Sequence, residues 1–405
     1  MKHPYKALIA VAFVLSGCSG ITMPSAKRWC LLEAKEWLPL VRNDQDTESR
    51  MQSQVALEMQ KAGLSDEALL VAGRIQNFRR AITFGKIGQF AMNQKQTAIA
   101  RKALEMGEIS LSYAVGENRE LGLIELMDLA QRLDEKDLVE KWFKQVQTNE
   151  NKTRANARIS FAHVSSGDIS PVAQRASDAE KDIYAGVKDL HGTTADQAAP
   201  NITVEEIFSA LEIAWNRNDK ATTARWLEEA RRRIPDVPSV DRVGYWASLC
   251  HWEVVTGKVD WAAVDLPKAQ AELDRIPAAY DFKYSWATEL AGVYKKLGDE
   301  KRANDLLEKE TLAVQKNVIP YFQMDVLGKM AVAAVDSGLM EQANAWWIMA
   351  FAEAEKNPNP RSRAVGVIQY LLSHAQAGIK PDGATQKKIA KIKAELPEAY
   401  SKIGF

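Results

Sequence analysis

One spacing constrains this chain more than any other feature. Asn218, Gly257, Gly298, Gly338 and Gly378 lie 39, 41, 40 and 40 residues apart. The first four are followed five residues later by Thr223, Ala262, Ala303 and Ala343, and nine residues later by Leu227, Leu266, Leu307 and Trp347. Ala230 and Ala269 continue two of these copies, and seven residues before two of the glycines stand Ala291 and Ala331. Apolar residues otherwise recur at three- and four-residue spacing, the helix period, and no period-2 strand pattern is evident. Glycine supplies the φ > 0 backbone of a tight turn, and small side chains let two helices cross closely. The spacing therefore predicts an all-α chain, an α-solenoid of antiparallel helix pairs repeating about every 40 residues. Composition agrees: 46% of residues are hydrophobic, and Gly and Pro together number 36 of 405, which excludes collagen-like and disordered classes.

The first half carries weaker copies. Gly63, Ala68 and Ala72 fit a turn and second helix, Gly167, Val172, Ala176 and Ala179 fit another, and turns are expected near Asn93 and Asp134. Between Gly186 and Thr203 the apolar period lapses and Gly, Thr, Asp and Pro gather. The expected division is an N-terminal helical array over 27–186, a linker or long loop over 187–203, and a C-terminal array over 204–405.

The offsets of small residue, turn glycine, alanine and bulky residue resemble those of the tetratricopeptide repeat. At about 40 residues each unit is longer than that family's 34, and its repeat-end proline is matched only loosely, by Pro277, Pro320 and Pro358. Asp299 and Glu300 follow one turn, where acidic residues suit a helix start.

The first residues point to a compartment. Lys2 and Lys6 precede nine apolar residues, Ala7 to Leu15. A bilayer-spanning helix needs about 20 apolar residues, so this is an export signal of residues 1–17. Leu15-Ser16-Gly17-Cys18 resembles the bacterial lipoprotein lipobox. That resemblance implies cleavage between Gly17 and Cys18, acylation of Cys18, and firm anchoring by more than one acyl chain. Ser19 in place of Asp resembles lipoproteins sorted to the outer membrane, facing the periplasm. Residues 18–26 form a short tether reaching roughly 30 Å, so the folded body is expected close to the lipid.

Three cysteines cannot frame a disulfide scaffold. In an oxidising periplasm Cys30 and Cys250 are a candidate disulfide pair, or else two small hydrophobes inside helices. Lys+Arg and Asp+Glu both total 53, so the positive field of a nucleic-acid binder is missing. Loss of residues 1–17 removes Lys2 and Lys6, leaving 51 basic against 53 acidic residues. Phosphate-loop, nucleophile-elbow, HExxH and CxxC patterns are lacking, and no metal or cofactor site is expected. His163 and His374 are expected as isolated packing residues, His191 falls in the linker, and Cys250 and His251 should point to different helix faces. Glu205-Glu206 and Glu228-Glu229 are paired acids in helix-opening or solvent-facing patterns.

Eight of the 11 tryptophans follow residue 200. Tyr245, Trp246, Tyr284 and Trp286 lie in first-helix stretches, the helices that line the concave face of a solenoid. They either form a partner-binding groove for peptide or sugar or fill inter-helix space. Neighbours on a helix are about 100° apart, so with Trp347 at the packed repeat position, Trp346 is the one expected to be free for binding. Basic groups at Arg74-Arg79-Arg80, Arg231-Arg232-Arg233 and Lys380 to Lys402 are interleaved with acids, as on a solvated face. They are also candidates for anionic headgroups or peptidoglycan. The functional expectation is a scaffold or adaptor that binds an envelope protein or peptide, as tetratricopeptide-repeat lipoproteins do. The alternative is a peptidoglycan-active enzyme of the lytic transglycosylase type, some of which are built on an α-superhelix.

Overall fold

Among the described residues, a residue in the left-handed region joins the two helices of each of eight helix pairs. Gly63, Gly257, Gly298, Gly338 and Gly378 have φ of 79°, 79°, 84°, 75° and 70°, and Lys95, Asp134 and Asn218 take the same region at 59°, 60° and 57°. After each of the last four glycines, the following amide bonds back to a carbonyl five residues upstream, as from Asp299 N to Tyr294 O at 3.0 Å and from Ile379 N to His374 O at 3.0 Å. Lys95, Asp134 and Asn218 are followed by the same bond. This Schellman geometry uses up carbonyls that a helix end leaves orphaned. The expected turn near Asn93 is at Lys95, and that at Asp134 is on the residue itself.

The computed structural model describes residues 25–41, 44–165, 204–237 and 239–402. Among them lie eighteen α-helices and no strand. They are α1 Ser25–Trp37, α2 Gln45–Lys61, α3 Ser65–Ala72, α4 Arg79–Asn93, α5 Thr97–Ser110, α6 Gly116–Arg132, α7 Lys136–Phe143, α8 Asn149–Ser165 and α9 Val204–Asn216. The series continues with α10 Lys220–Arg233, α11 Ser239–Val255, α12 Val259–Arg275, α13 Phe282–Lys296, α14 Glu300–Asn317, α15 Pro320–Asp336, α16 Met340–Lys356, α17 Pro360–Ala377 and α18 Gly383–Lys402. The Gly167 copy, the linker 187–203 and the signal lie outside the described residues.

Two units share the chain. The first holds the described residues of Gln60–Leu69 and Arg80–Trp226, and the second those of Ser25–Met59, Leu70–Arg79 and Leu227–Phe405. In the second unit Ser25–Met59, which includes the first helix, groups with the C-terminal helices. The cause is an apolar stripe: Cys30, Leu31, Ala34 and Trp37 are buried on one face of α1, and α1 packs along α17.

In the second unit the first helices α11, α13, α15 and α17 pack in series, and each also packs on its own second helix, α12, α14, α16 and α18. The repeat positions are the core. Ala262, Ala269, Ala291, Ala303, Ala331 and Ala343 are at most 1% exposed. Inside the first helices, glycines allow closer approach still. A Cβ at Gly292 would lie 2.4 Å from Ser337, and one at Gly328 would lie 3.2 Å from Ser373. The first unit uses the same device, with Gly85 of α4 against Glu125 and Gly88 against Leu129 of α6. Helix α17 is covered most completely, every residue from Ala364 to Ala375 being buried. Its polar groups find partners there: Ser373 Oγ accepts from Trp347 Nε1 at 3.0 Å and donates to Tyr370 O at 2.8 Å.

Candidate functional site

The first-helix face of the second unit is where side chains that the core does not use gather. On α13, Phe282, Ser285, Trp286 and Glu289 recur at three- and four-residue spacing and are all half-buried. On α15 the matching row is Phe322, Asp325, Lys329, Val332 and Asp336, of which Phe322 is 45% exposed. Helix α11 contributes Tyr245 and Ser248, half-buried, and the exposed His251. The Trp286 ring crosses to α11 over Gly244, where any Cβ would come within 2.7 Å of the indole. Trp286 packs at 4.5 Å against Phe282, which meets Tyr280 at 5.2 Å, both pairs tilted. Tilted ring pairs of this kind present both ring faces and edges to a bound group.

Charge is distributed unevenly beside these rings. Lys329 Nζ bridges Asp281 at 2.9 Å and Asp325 at 2.8 Å. Burial opposes its charge, but the two carboxylates more than offset this and raise its pKa. Glu289 has no such partner. Burial, with Asp336 as a like-charged neighbour, pushes its carboxyl up to about 7, and burial raises Asp336 as well. The face can therefore hold an apolar or aromatic group on Phe282 and Trp286, and Glu289 can offer a protonated carboxyl near neutral pH.

Three of the five aromatic residues expected in a groove do something else. Trp246 is 4% exposed beneath the Lys268 ammonium, 5.3 Å from its ring. Tyr284 is fully buried and its hydroxyl donates to Ala278 O at 2.6 Å. Trp346, expected to be free for binding, is also fully buried, and its Nε1 donates to Thr311 Oγ1 on α14 at 2.9 Å. Neighbouring second helices make contact here, so both tryptophans of the pair are occupied: Trp346 sideways on α14, Trp347 inward on His374, stacked at 4.1 Å. Tyr245 and Trp286 stay on the first-helix face. Phe282, Tyr280 and Phe322 were missed because no tryptophan marks them, although Phe282 lies one helical turn from Trp286.

Cys30 and Cys250 are free thiols, both buried, and not the disulfide that oxidising conditions suggested. Cys30 faces the turn after α17, its Sγ 3.8 Å from Ile379 O, and burial raises it to about 12. Cys250 lies on α11, where burial and the carboxylates of Glu253 and Asp265 raise it further. His251 is exposed beside it, so the two do point to different faces. His374 is a buried packing residue, its Nδ1 3.0 Å from Ile379 O. Gly17 and Cys18 lie outside the described residues, as do the side chains of His163, Glu205 and Glu206.

The arginine run is tied to acids, with Arg232 exposed and Arg231 and Arg233 half-buried. Arg231 bonds Asp265 at 2.6 Å and Glu253 at 3.0 Å, both carboxylates being 0% exposed. Arg232 and Arg233 hold Glu229 at 2.7 and 3.0 Å. Arg79 pairs with Asp46. An open cavity of about 500 Å³ between α12, α13 and α14 is lined by Gln270, Ala271, Asp274, Tyr294, Arg302 and Lys309 among others, with Lys309 bonded to Asp274 at 2.8 Å. No described helix is long and apolar enough to cross a membrane.

No family model matches the chain, and no curated protein matches it. Among solved structures it is similar to a "Circular tandem repeat protein with novel repeat topology and enhanced subunit contact surfaces", at 13% identity over 94% of this chain and 99% of that one, with a TM-score of 0.22.

Proposed function

We propose that this protein is an outer-membrane lipoprotein, anchored through Cys18 and facing the periplasm. It acts as a protein-binding scaffold or adaptor for an envelope assembly such as secretion, polysaccharide export, outer-membrane biogenesis or cell-wall biogenesis. The turn-alanine-bulky register makes its array similar to tetratricopeptide repeats lengthened to about 40 residues. The observation that carries the binding reading is the face of α11, α13 and α15, where Tyr245, Phe282, Trp286 and Phe322 stay accessible while the repeat positions around them are buried. A repeat array offers an extended recognition surface by construction, and aromatic anchors carry much of the energy of protein interfaces. A photo-crosslinking residue at Phe282, used in the native envelope, is expected to trap a defined protein partner. A blank there, with crosslinks from the exposed Ile348 of α16 instead, would move the site to the second-helix layer. For the anchor, Cys18→Ser is expected to abolish acylation and membrane fractionation.

One observation favours the peptidoglycan-active alternative. Glu289 shares a helix face with Phe282 and Trp286, and a carboxyl raised to about 7 by burial and the like charge of Asp336 has the property a general acid needs. Incubation with purified peptidoglycan decides between the two: the scaffold predicts no muropeptide release, and release abolished by Glu289→Gln would replace it.

A further inference from the structure

We propose that the end of the second unit formed by the first turn of α1, the turn after α17 and the start of α18 rests on the membrane and binds anionic lipid headgroups. Helices α1 and α18 run side by side in the same direction: the Lys380 ammonium lies 4.5 Å over the Trp29 ring, Lys393 meets Glu33 at 3.1 Å, and the Tyr400 hydroxyl bonds Leu40 O. Both helices therefore begin at one end of the unit. Cations without an ion pair concentrate there. Lys27 is half-buried, Arg28, Lys380 and Lys387 are exposed, and among the described residues none of the four meets a carboxylate. The acid in this turn, Asp382, is engaged as the cap of α18, accepting from Thr385 N at 2.7 Å. Further along α18 the lysines are neutralised, Lys388 by Glu355 at 3.1 Å and Lys391 by Glu395 at 3.8 Å.

The same end leads to the anchor. Six residues separate Cys18 from Ser25, a reach of about 25 Å at full extension, so the start of α1 cannot leave the lipid surface by more than that. A half-buried tryptophan with a lysine ammonium over its ring is the composition expected at a membrane–water interface, and basic groups are drawn to anionic headgroups within a Debye length. This orientation rests on Cys18 being the anchor. It adds that the cationic end turns the first-helix face in a fixed direction relative to the bilayer.

The test uses the mature chain from residue 18 with Cys18→Ser, so that no acyl chain contributes. It is expected to sediment with vesicles of phosphatidylglycerol and phosphatidylethanolamine at low salt, and not with phosphatidylcholine vesicles. Reversing Lys27, Arg28, Lys380 and Lys387 to Glu should weaken sedimentation by at least about tenfold, with an unchanged helical signal and melting temperature. Reversing Lys301 and Lys316 should not weaken it. Absence of binding to the anionic vesicles, equal losses in both variants, or displacement by millimolar inorganic phosphate would overturn the proposal. If Cys18→Ser leaves fractionation in cells unchanged while vesicle binding holds, the anchor fails and the lipid surface stands.

Discussion

Buried His374 and half-buried Glu289 give this protein opposite responses to acid. His374 is held neutral inside α17, burial lowering it to about 4 from an ordinary 6.5. The unfolded chain takes up that proton first as pH falls, so the contribution is complete above 6.5 and lost as pH falls through about 4. Glu289 is raised from 4.5 to about 7, so its folded form keeps a proton that the unfolded chain releases. Its contribution is complete below 4.5 and lost as pH rises through 7. Glu289→Gln is therefore expected to stabilise the protein by about 1–3 kcal/mol at pH 8 and to gain nothing at pH 4.5. Equal melting temperatures for variant and parent at pH 8 would refute this. The thiols give a second residue-scale expectation: Cys30 and Cys250, buried and held protonated, should resist maleimide in the native state and react on denaturation. A melting temperature lowered by reductant would reinstate the disulfide.

At the scale of the helix, what could be read in the sequence was the turn and the alanine, because each has a backbone or steric requirement that few residues meet. The φ of 84° at Gly298 and of 75° at Gly338 is such a requirement. The turn at Lys95 was displaced from the expected Asn93 because lysine gives no sign of a left-handed backbone. The same rule hid the glycines that pack helices. Gly292, Gly328 and Gly366 sit inside first helices, where periodicity marks only a weak helix former, yet they decide how closely neighbours approach. Gly292→Ala should cost about 1–3 kcal/mol by overpacking, since its Cβ would lie 2.4 Å from Ser337 Cβ and Oγ. Gly383→Ala, where nothing lies within 4 Å, should be close to neutral. Thermal unfolding of the two variants checks this, and Ser337→Gly beside Gly292→Ala should recover part of the loss. The groove residues divided for a related reason. Helical spacing places Trp346 and Trp347 about 100° apart, but it does not tell that the Thr311 hydroxyl waits on the neighbouring second helix at 2.9 Å.

At the scale of the second unit, its most distant sequence contacts are its most consequential. The amphipathic stripe of α1 showed which face would be buried, and nothing in its spacing showed against what. The partner is 349 residues away at the Cys30–Ile379 contact and 360 at Lys393–Glu33. Helix α1 packs along α17, whose residues from Ala364 to Ala375 are all buried, so without α1 part of that buried surface would face water. Such an end needs a cap in any repeat array, and here the cap is drawn from the other terminus. Leu31→Ala, at a position 0% exposed, should cost about 2–5 kcal/mol. The loss should not stay in α1: hydrogen exchange in the variant is expected to rise across Pro360–Ala377 and Gly383–Lys402 together with Ser25–Trp37. Faster exchange confined to Ser25–Trp37 would make α1 a peripheral strap. Joint loss would mean that the helix nearest the expected anchor is also part of the fold of the array it tethers, so that a pull on the anchor is borne by α17 and α18.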